Sequence, residues 1–202
     1  MKEFTLLIER LKGGHVTRYH TVPEIANGQD VASHTWRAMI ILTTLWPDIS
    51  KNAIMNMMWH DIPEAYTGDI PATTKWGYPK LATALERAED IIVNQLEIWP
   101  LDITEKEEHR IKVADMLELV LHCFRQMEMG NRKAIPVFKN GIEYLKNYDY
   151  DKEDKNIIEI EIMLCVACTG EDFHIIACSG QRIICSDCET EVLDKRWVKK
   201  RK

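Results

Sequence analysis

The sequence predicts a mainly α-helical protein that ends in a small β-rich module. Apolar residues recur at intervals of three and four over much of the first 150 residues, which is the spacing of one helical face. Five of the six cysteines fall in the last 40 residues, where short β-type runs replace the helical pattern. We therefore expect a helical domain over residues 1–150, a charged linker over 151–158, and a cysteine-rich module with a basic tail over 159–202.

Three helices are predicted in the first part of the chain. The first spans residues 2–12 and ends at Gly13-Gly14, and a loop rich in turn residues follows. The second ends before Pro47 and presents one face made of Val31, His34, Ala38, Ile41 and Leu45. Ser50 is the expected N-cap of the third helix, which we predict to continue through Asp61.

Three longer helices are predicted beyond a second loop, which is marked by glycine and proline over residues 68–77. The first covers about residues 79–97. Thr104 and Glu107 have the spacing of a capping box, which opens a helix that runs to about Met129. The last helix covers about residues 133–147.

Composition narrows the class of protein before any motif is considered. The chain has 202 residues and a mass of 23.5 kDa, with 46% hydrophobic and 29% charged residues, which is typical of a folded domain. No apolar run approaches the ~20 residues that span a bilayer, and the first residues lack the apolar core of a secretory signal. We expect a cytoplasmic protein that makes no membrane contact.

The net charge of −6 is unevenly distributed. Residues 195–202 are strongly basic, whereas residues 1–194 carry 20 basic and 32 acidic side chains. An acidic body argues against broad nonspecific binding of nucleic acid. The tail leaves a nucleic-acid or phosphate-rich partner open, although a solvated terminus is the favoured interpretation.

Two histidines and two aspartates lie on or beside the apolar faces of their predicted helices: His34, His60, Asp61 and Asp115. An ionised carboxylate on a core-facing stripe is costly unless it is paired or bound to a metal. Converging from three helices, these residues would form a mixed nitrogen and oxygen site that suits Zn²⁺, Mn²⁺, Co²⁺ or Fe²⁺ better than Ca²⁺. Singly, each is more simply a packed core histidine or a helix-capping aspartate, so the combination carries the metal hypothesis.

These residues and the strings around them resemble a known family. The order His34, His60-Asp61, Asp115 is similar to the H…HD…D signature of HD-domain metal-dependent phosphohydrolases. VASHTWRAM, HDIPEAYTGDIPATTK and VADMLEL resemble three motifs of the bacterial 5′-deoxynucleotidase branch, over about residues 5–147. A viral branch that hydrolyses dATP shares these motifs, so they do not separate the two branches. The resemblance implies an HD-domain helical bundle.

The resemblance also implies how the site is divided between metal and catalysis. His34, His60, Asp61 and Asp115 would bind one divalent ion, with Co, Mn, Zn, Mg and Fe all open. Glu64 would transfer a proton or orient water beside the ion.

The remaining implied residues would contact substrate or assist catalysis. Asp69 would be a second catalytic carboxylate or a ribose contact. Arg18 and Lys75 would bind phosphate. Tyr19, where the branch usually has tryptophan, would stack on the base. Ser33 and Thr74, or its neighbour Thr73, would line the phosphate or sugar pocket.

The cysteines near the end have zinc-ribbon spacing. Two Cys-x-x-Cys pairs, separated by 16 residues, are formed by Cys165, Cys168, Cys185 and Cys188. Four thiolates give a closed tetrahedral site, which is structural rather than catalytic. We predict a structural zinc here, against the alternative of reduced thiols in a small β unit.

Three functions compete at this point. The leading one is a 5′-deoxynucleotidase that releases phosphate from deoxynucleoside 5′-monophosphates. The second keeps the chemistry but acts on a dNTP, notably dATP. The third is a non-enzymatic nucleic-acid or protein adaptor that uses the ribbon and basic tail. A homodimer or larger homo-oligomer is the expected assembly, carried over from related enzymes.

Overall fold

The computed structural model of the protein describes residues 2–18, 28–148 and 154. The chain divides into two units, Met1–Asp149 and Tyr150–Lys202, and every helix named below lies in the first. In the described part of the chain the α-helices are α1 (Lys2–Leu11), α2 (Val31–Leu45), α3 (Lys51–Trp59), α4 (Glu64–Thr67), α5 (Ala72–Gly77), α6 (Pro79–Gln95), α7 (Glu105–Glu128) and α8 (Ile135–Asn147). Short 3₁₀ turns at Lys12–His15 and Arg132–Ala134 precede the loop to α2 and the start of α8.

Side-chain caps set the start of the helices that carry the site. Asp30 accepts a hydrogen bond from the Ser33 backbone N–H at 2.7 Å and caps α2. Ser50 caps α3, as its sequence position predicts. Thr104 and Glu107 exchange the two hydrogen bonds of a capping box at the start of α7, which confirms that prediction.

Helix α7 is the centre of the packing and contacts α2, α3 and α8. The core between these helices is made of large side chains that are almost completely buried: Leu42, Trp46, Met57, Leu117 and Phe138. Gly141 lets α8 approach α7, because a Cβ there would lie 2.7 Å from Val120 Cγ2. The predicted apolar face of α2 is confirmed at Val31, His34 and Ala38.

The third helix ends earlier than predicted. Helix α3 stops at Trp59, and the chain from His60 to Pro63 forms a tight turn instead of continuing the helix through Asp61. Pro63 has no N–H to continue the i−4 ladder, and Glu64 N–H donates to the Asp61 carbonyl three residues back. Glu64 therefore begins a separate helix, α4, and does not share one continuous helical face with His60.

The predicted loop over residues 68–77 also contains a helix. Residues Ala72–Gly77 form α5, which begins after Pro71. Two threonines and the flanking proline and glycine lower the local helix propensity, which is why the sequence pattern indicated a loop.

The expected fold class is confirmed as mainly helical. Within residues 2–18 and 28–148 the only β-type pairing is an isolated antiparallel bridge between Thr17 and Asp30. The predicted β-rich zinc ribbon lies outside the described residues. Among the helices described, none has the length and apolar character needed to cross a bilayer.

Candidate metal centre

The histidine–aspartate cluster (His34, His60, Asp61 and Asp115) is built from three separate parts of the chain. His34 lies in the first turn of α2, which the Asp30 cap fixes. His60 and Asp61 lie in the turn that follows α3. Asp115 lies in the middle of α7, which packs against both helices.

The ligand-type atoms of the cluster converge. His34 Nε2 lies 2.9 Å from Asp115 Oδ1 and 3.7 Å from Asp61 Oδ2. His60 Nε2 lies 3.1 Å from Asp61 Oδ1 and 4.0 Å from Asp115 Oδ1. The four predicted residues are therefore brought together from α2, from the turn after α3 and from α7.

Both imidazole rings are oriented by the nitrogen that faces away from the cluster. His34 Nδ1 lies 2.7 Å from Glu118 Oε2, and His60 Nδ1 lies 2.7 Å from the Met57 carbonyl oxygen. Each acceptor requires a proton on Nδ1. When the ring is neutral, this leaves the Nε2 lone pair directed into the cluster, as a metal requires.

The spacing of these atoms fits a single divalent ion. Two atoms that each lie about 2.1 Å from one ion are about 3.0 Å apart at a right angle, about 3.4 Å apart at the tetrahedral angle and about 4.2 Å apart when opposite. The four distances run from 2.9 to 4.0 Å. Atoms of His34, His60 and Asp61 all lie within 4.8 Å of one another. The donor set and its spacing therefore fit a divalent metal.

The electrostatics of the cluster show charges that compensate one another. The His34 side chain is completely buried, which lowers its pKa, but hydrogen bonds with Asp115 and Glu118 outweigh burial and raise the pKa to about 9. Burial raises the pKa of Asp115, but the hydrogen bond with His34 and the charge of His60 bring it down to about 2. In this arrangement a protonated His34 supplies the positive charge that compensates the Asp115 and Glu118 carboxylates.

Arg18 also reaches the cluster. Its Nη1 donates to Asp61 Oδ2 at 2.8 Å, and both side chains are mostly buried. Its backbone N–H donates to the Gln29 carbonyl at 2.8 Å, next to the antiparallel bridge between Thr17 and Asp30. The guanidinium is therefore held where an anion bound at the cluster would meet it.

Glu64 is a half-buried acid beside the cluster. Its Oε2 is buried and has no hydrogen-bond partner among the described residues. Burial and the negative charges of Asp61 and Asp69 raise its pKa to about 8, while Arg18 and Lys75 act in the opposite direction. Asp69 and Lys75 thus lie in the electrostatic surroundings of Glu64.

Ser33 and Thr74, which were predicted to contact substrate, make hydrogen bonds with residues outside the cluster. Ser33 donates its backbone N–H to the Asp30 cap, and the Thr74 carbonyl accepts from Tyr78 at the end of α5. Both side chains are half-buried. Tyr19 and the four zinc-ribbon cysteines lie outside the described residues.

Two buried polar residues beside the cluster were missed at the level of the sequence. Glu118 and Gln29 are almost completely buried, and Gln29 Nε2 donates to Glu118 Oε1 at 2.7 Å. Glu118 lies three residues after Asp115 and so on the same side of α7. Glu118 could have been identified from the sequence, because a carboxylate on an apolar helical face needs a partner.

The chain belongs to the HD-domain family, whose sequence pattern matches residues 8–129. That match includes His34, His60, Asp61 and Asp115, and so the whole histidine–aspartate cluster. The resemblance at the level of motifs is confirmed.

Two kinds of named relatives share part of the sequence. A dATP triphosphohydrolase of Salmonella phage PMBT28 is 29% identical over 126 residues, covering 54% of this chain and 60% of the relative. A 5′-deoxynucleotidase of Yersinia pestis (strain Pestoides F) is 29% identical over 92 residues, covering 39% of this chain and 47% of the relative. The chain thus spans about half the length of the curated relatives it matches.

Solved structures share the fold. The HD phosphohydrolase DatZ of cyanophage S-2L, bound to dA and one catalytic Zn²⁺ ion, is 22% identical with a TM-score of 0.59, covering 74% of this chain and 90% of that chain. A protein from Pyrococcus horikoshii OT3 is 21% identical with a TM-score of 0.58, covering 78% of this chain and 95% of that chain. At this level of identity the likeness establishes a common fold.

Proposed function

We propose that the protein is a metal-dependent phosphohydrolase that acts on deoxynucleotides. The observation that carries the proposal is the convergence of His34 Nε2, His60 Nε2 and the Asp61 and Asp115 carboxylates, which are joined by four N···O distances of 2.9–4.0 Å. Membership of the HD-domain family and the names of its relatives support the same chemistry.

The four cluster residues would hold the ion, with both histidines bound through Nε2. A bound divalent ion would lower the pKa of water and polarise a phosphoryl oxygen. Because Asp115 Oδ1 is within 4.0 Å of both imidazoles, α7 would supply the ligand that closes the set.

The surrounding side chains would bind and neutralise the phosphate. Arg18 is mostly buried and lies 2.8 Å from Asp61, so its guanidinium would face a phosphate bound at the cluster. Lys75 would add a second positive charge from α5, next to Glu64. Such fixed donors stabilise negative charge that develops in the transition state.

Glu64 would be the group that transfers a proton. Its carboxyl has a pKa of about 8 because it is buried beside Asp61 and Asp69. A group whose pKa lies near the working pH gives or accepts a proton most effectively. Asp69 would act with Glu64, or contact the sugar.

The preferred substrate in this proposal is a deoxynucleoside 5′-monophosphate. A dNTP such as dATP is the second candidate, because the phage dATP triphosphohydrolase matches a longer part of this chain than the 5′-deoxynucleotidase does. Ser33, Thr74 and Tyr19 are the proposed contacts to sugar, phosphate and base.

A substrate panel separates these candidates. Metal-stripped protein would be incubated with dNMPs, NMPs and dNTPs in the presence of Co²⁺, Mn²⁺, Mg²⁺ or Zn²⁺, and products resolved by chromatography. Phosphate and nucleoside from dNMPs but not NMPs would support the leading candidate. Turnover of dNTPs alone would favour the second. No turnover with any combination of substrate and metal would leave the adaptor function, or a substrate that is not a nucleotide.

Asp61→Asn is the matched variant for that panel. It removes the carboxylate that touches both imidazoles and Arg18. We expect turnover to be abolished while the helical circular dichroism signal is kept. Retained turnover would overturn the assignment of the site.

The cysteine module is a separate proposal that rests on spacing alone. Cys165, Cys168, Cys185 and Cys188 would hold one structural Zn²⁺. Zinc analysis of the chain with Cys165→Ser should show one equivalent less than the parent chain. The domain boundary near residue 150, a homo-oligomer and a cytoplasmic location stay predictions.

A further inference from the structure

A buried carboxylate lies directly behind the first histidine of the cluster. The Glu118 side chain is 2% exposed, and its Oε2 lies 2.7 Å from His34 Nδ1. Its other oxygen, Oε1, accepts from Gln29 Nε2 at 2.7 Å and lies 3.6 Å from Arg37 Nη1. Both carboxylate oxygens therefore have partners. The partner of Oε2 is the imidazole ring of His34, whose Nε2 points into the cluster.

Burying a carboxylate is costly unless it is paired. At Glu118 the compensation comes from a histidine whose second nitrogen faces Asp61 and Asp115. An apolar side chain would fill the same space between α2 and α7 but would leave His34 Nδ1 without an acceptor. The carboxylate thus orients the ring in addition to filling the core.

We propose that Glu118 is a positioning residue of the metal centre, which fixes the ring of His34 with its Nε2 lone pair toward the ion. This inference rests on the proposed metal function of the cluster. Carboxylates behind metal-binding histidines raise the basicity of the ligand and hold its orientation.

Gln29 extends this support to the backbone of Arg18. Its side chain holds Glu118, and its backbone carbonyl accepts from Arg18 N–H at 2.8 Å. The same residue therefore contacts both the group behind the metal ligand and the backbone of the proposed phosphate-binding arginine. A displacement of Glu118 would therefore shift the His34 ring and, through Gln29, the backbone of Arg18.

The test is Glu118→Gln in the full chain, with Glu108→Gln as the matched control. Gln keeps the shape of Glu but replaces one acceptor with an N–H₂ donor. Glu108 lies on the same helix, is exposed and pairs with Lys112 at 3.0 Å. Mn²⁺ is the probe, because it favours oxygen and imidazole ligands over the thiolates of the cysteine module.

The dissociation constant of Mn²⁺ would be measured by the electron paramagnetic resonance signal of the free ion. We expect about a 10- to 100-fold increase for Glu118→Gln and no change for Glu108→Gln. In the Zn²⁺-loaded parent protein, the His34 Nδ1–H proton should give a slowly exchanging resonance. That resonance should shift or exchange with water in Glu118→Gln.

The outcomes are distinguishable. Parent protein that binds Mn²⁺ and a Glu118→Gln variant that binds equally well would overturn the inference alone. Parent protein that binds no Mn²⁺ would overturn the proposed metal function and the inference with it. A variant that melts at a lower temperature without metal, but keeps its Mn²⁺ affinity, would show a purely structural role.

A Glu118→Gln variant that fails to fold would move the test to Gln29→Leu, which leaves the Glu118 carboxylate in place and removes the amide donor to it. Its Mn²⁺ dissociation constant is then expected to rise several-fold. An unchanged constant would overturn the inference.

Discussion

Gly13 is the position where a single methyl group should disturb both stability and the site. It lies in the 3₁₀ turn that packs against α4 and α2, and it is buried. A Cβ at this position would lie 2.8 Å from Ile62 Cα and 3.1 Å from Ile62 O. Both are backbone atoms of the His60–Pro63 turn, so no flexible side chain can move aside.

The size of the effect follows from these distances. Ordinary contact would require the two backbones to separate by about 0.6–1 Å, and overpacking of this kind costs about 1–3 kcal/mol. Alanine also restricts the unfolded chain, which returns about 0.4–1 kcal/mol. Taking the middle of both ranges, about 2 less about 0.7 kcal/mol, the net loss in the free energy of unfolding is about 1.3 kcal/mol, or about 3–5 °C in melting temperature for a domain of this size.

The site should respond because the displaced turn carries Asp61. The contact between Arg18 and Asp61 joins the segment after Gly13 to that turn, so its 2.8 Å distance should lengthen. We expect a higher KM for the deoxynucleotide together with the lower melting temperature.

Thermal unfolding of Gly13→Ala would be compared with that of Gly77→Ala. Gly77 has no heavy atom within 4 Å of its ideal Cβ, so alanine there should be neutral or slightly stabilising. Equal melting temperatures for the two variants would refute the close approach of Gly13 to Ile62.

Two other predictions concern separate carboxylates. Glu64→Gln should lower turnover by about 10²- to 10⁴-fold while Mn²⁺ affinity stays within about threefold of the parent, because Glu64 is proposed to transfer a proton and not to bind the ion. Steady-state rates and Mn²⁺ titration check this. Unchanged turnover, or loss of Mn²⁺ binding, would contradict it. Hydrogen bonds with Ser50 and Thr104 lower the pKa of Glu107 to about 2. Its carboxylate therefore stabilises the fold above about pH 4.5, and this contribution is lost as the pH falls toward 2. Urea unfolding should show Glu107→Gln less stable than the parent by about 0.5–1 kcal/mol at pH 7, with a difference that shrinks toward pH 2. A difference independent of pH would rule out the carboxylate as its source.

Local sequence signals predicted the helices well where a cap fixes the start. Ser50 and the Thr104–Glu107 capping box are both found with their hydrogen bonds. The signals failed where tertiary packing overrides propensity. Helix α5 forms although two threonines and a terminal glycine lower its helix propensity. The early end of α3 is instead a local effect, because Pro63 interrupts the ladder.

The composition of the cluster was predictable from residue types, but its supporting contacts were not. Four ligand-type residues on apolar faces indicated a mixed nitrogen and oxygen site. The acceptors behind the rings, Glu118 and the Met57 carbonyl, depend on how α2, α3 and α7 pack. The pairing of Arg18 with Asp61 likewise depends on where the backbone bond between Arg18 and Gln29 holds the arginine. These contacts depend on the distances between helices, which the pattern of residues along the sequence does not specify.

The most direct test of the central claim is anomalous diffraction from crystals of the Zn²⁺-loaded chain. The account predicts an anomalous peak within about 2.0–2.2 Å of Nε2 of both His34 and His60, with the Asp61 and Asp115 carboxylates completing the set. Zn²⁺ bound only elsewhere in the chain, with the two imidazoles still paired to the aspartates, would contradict it.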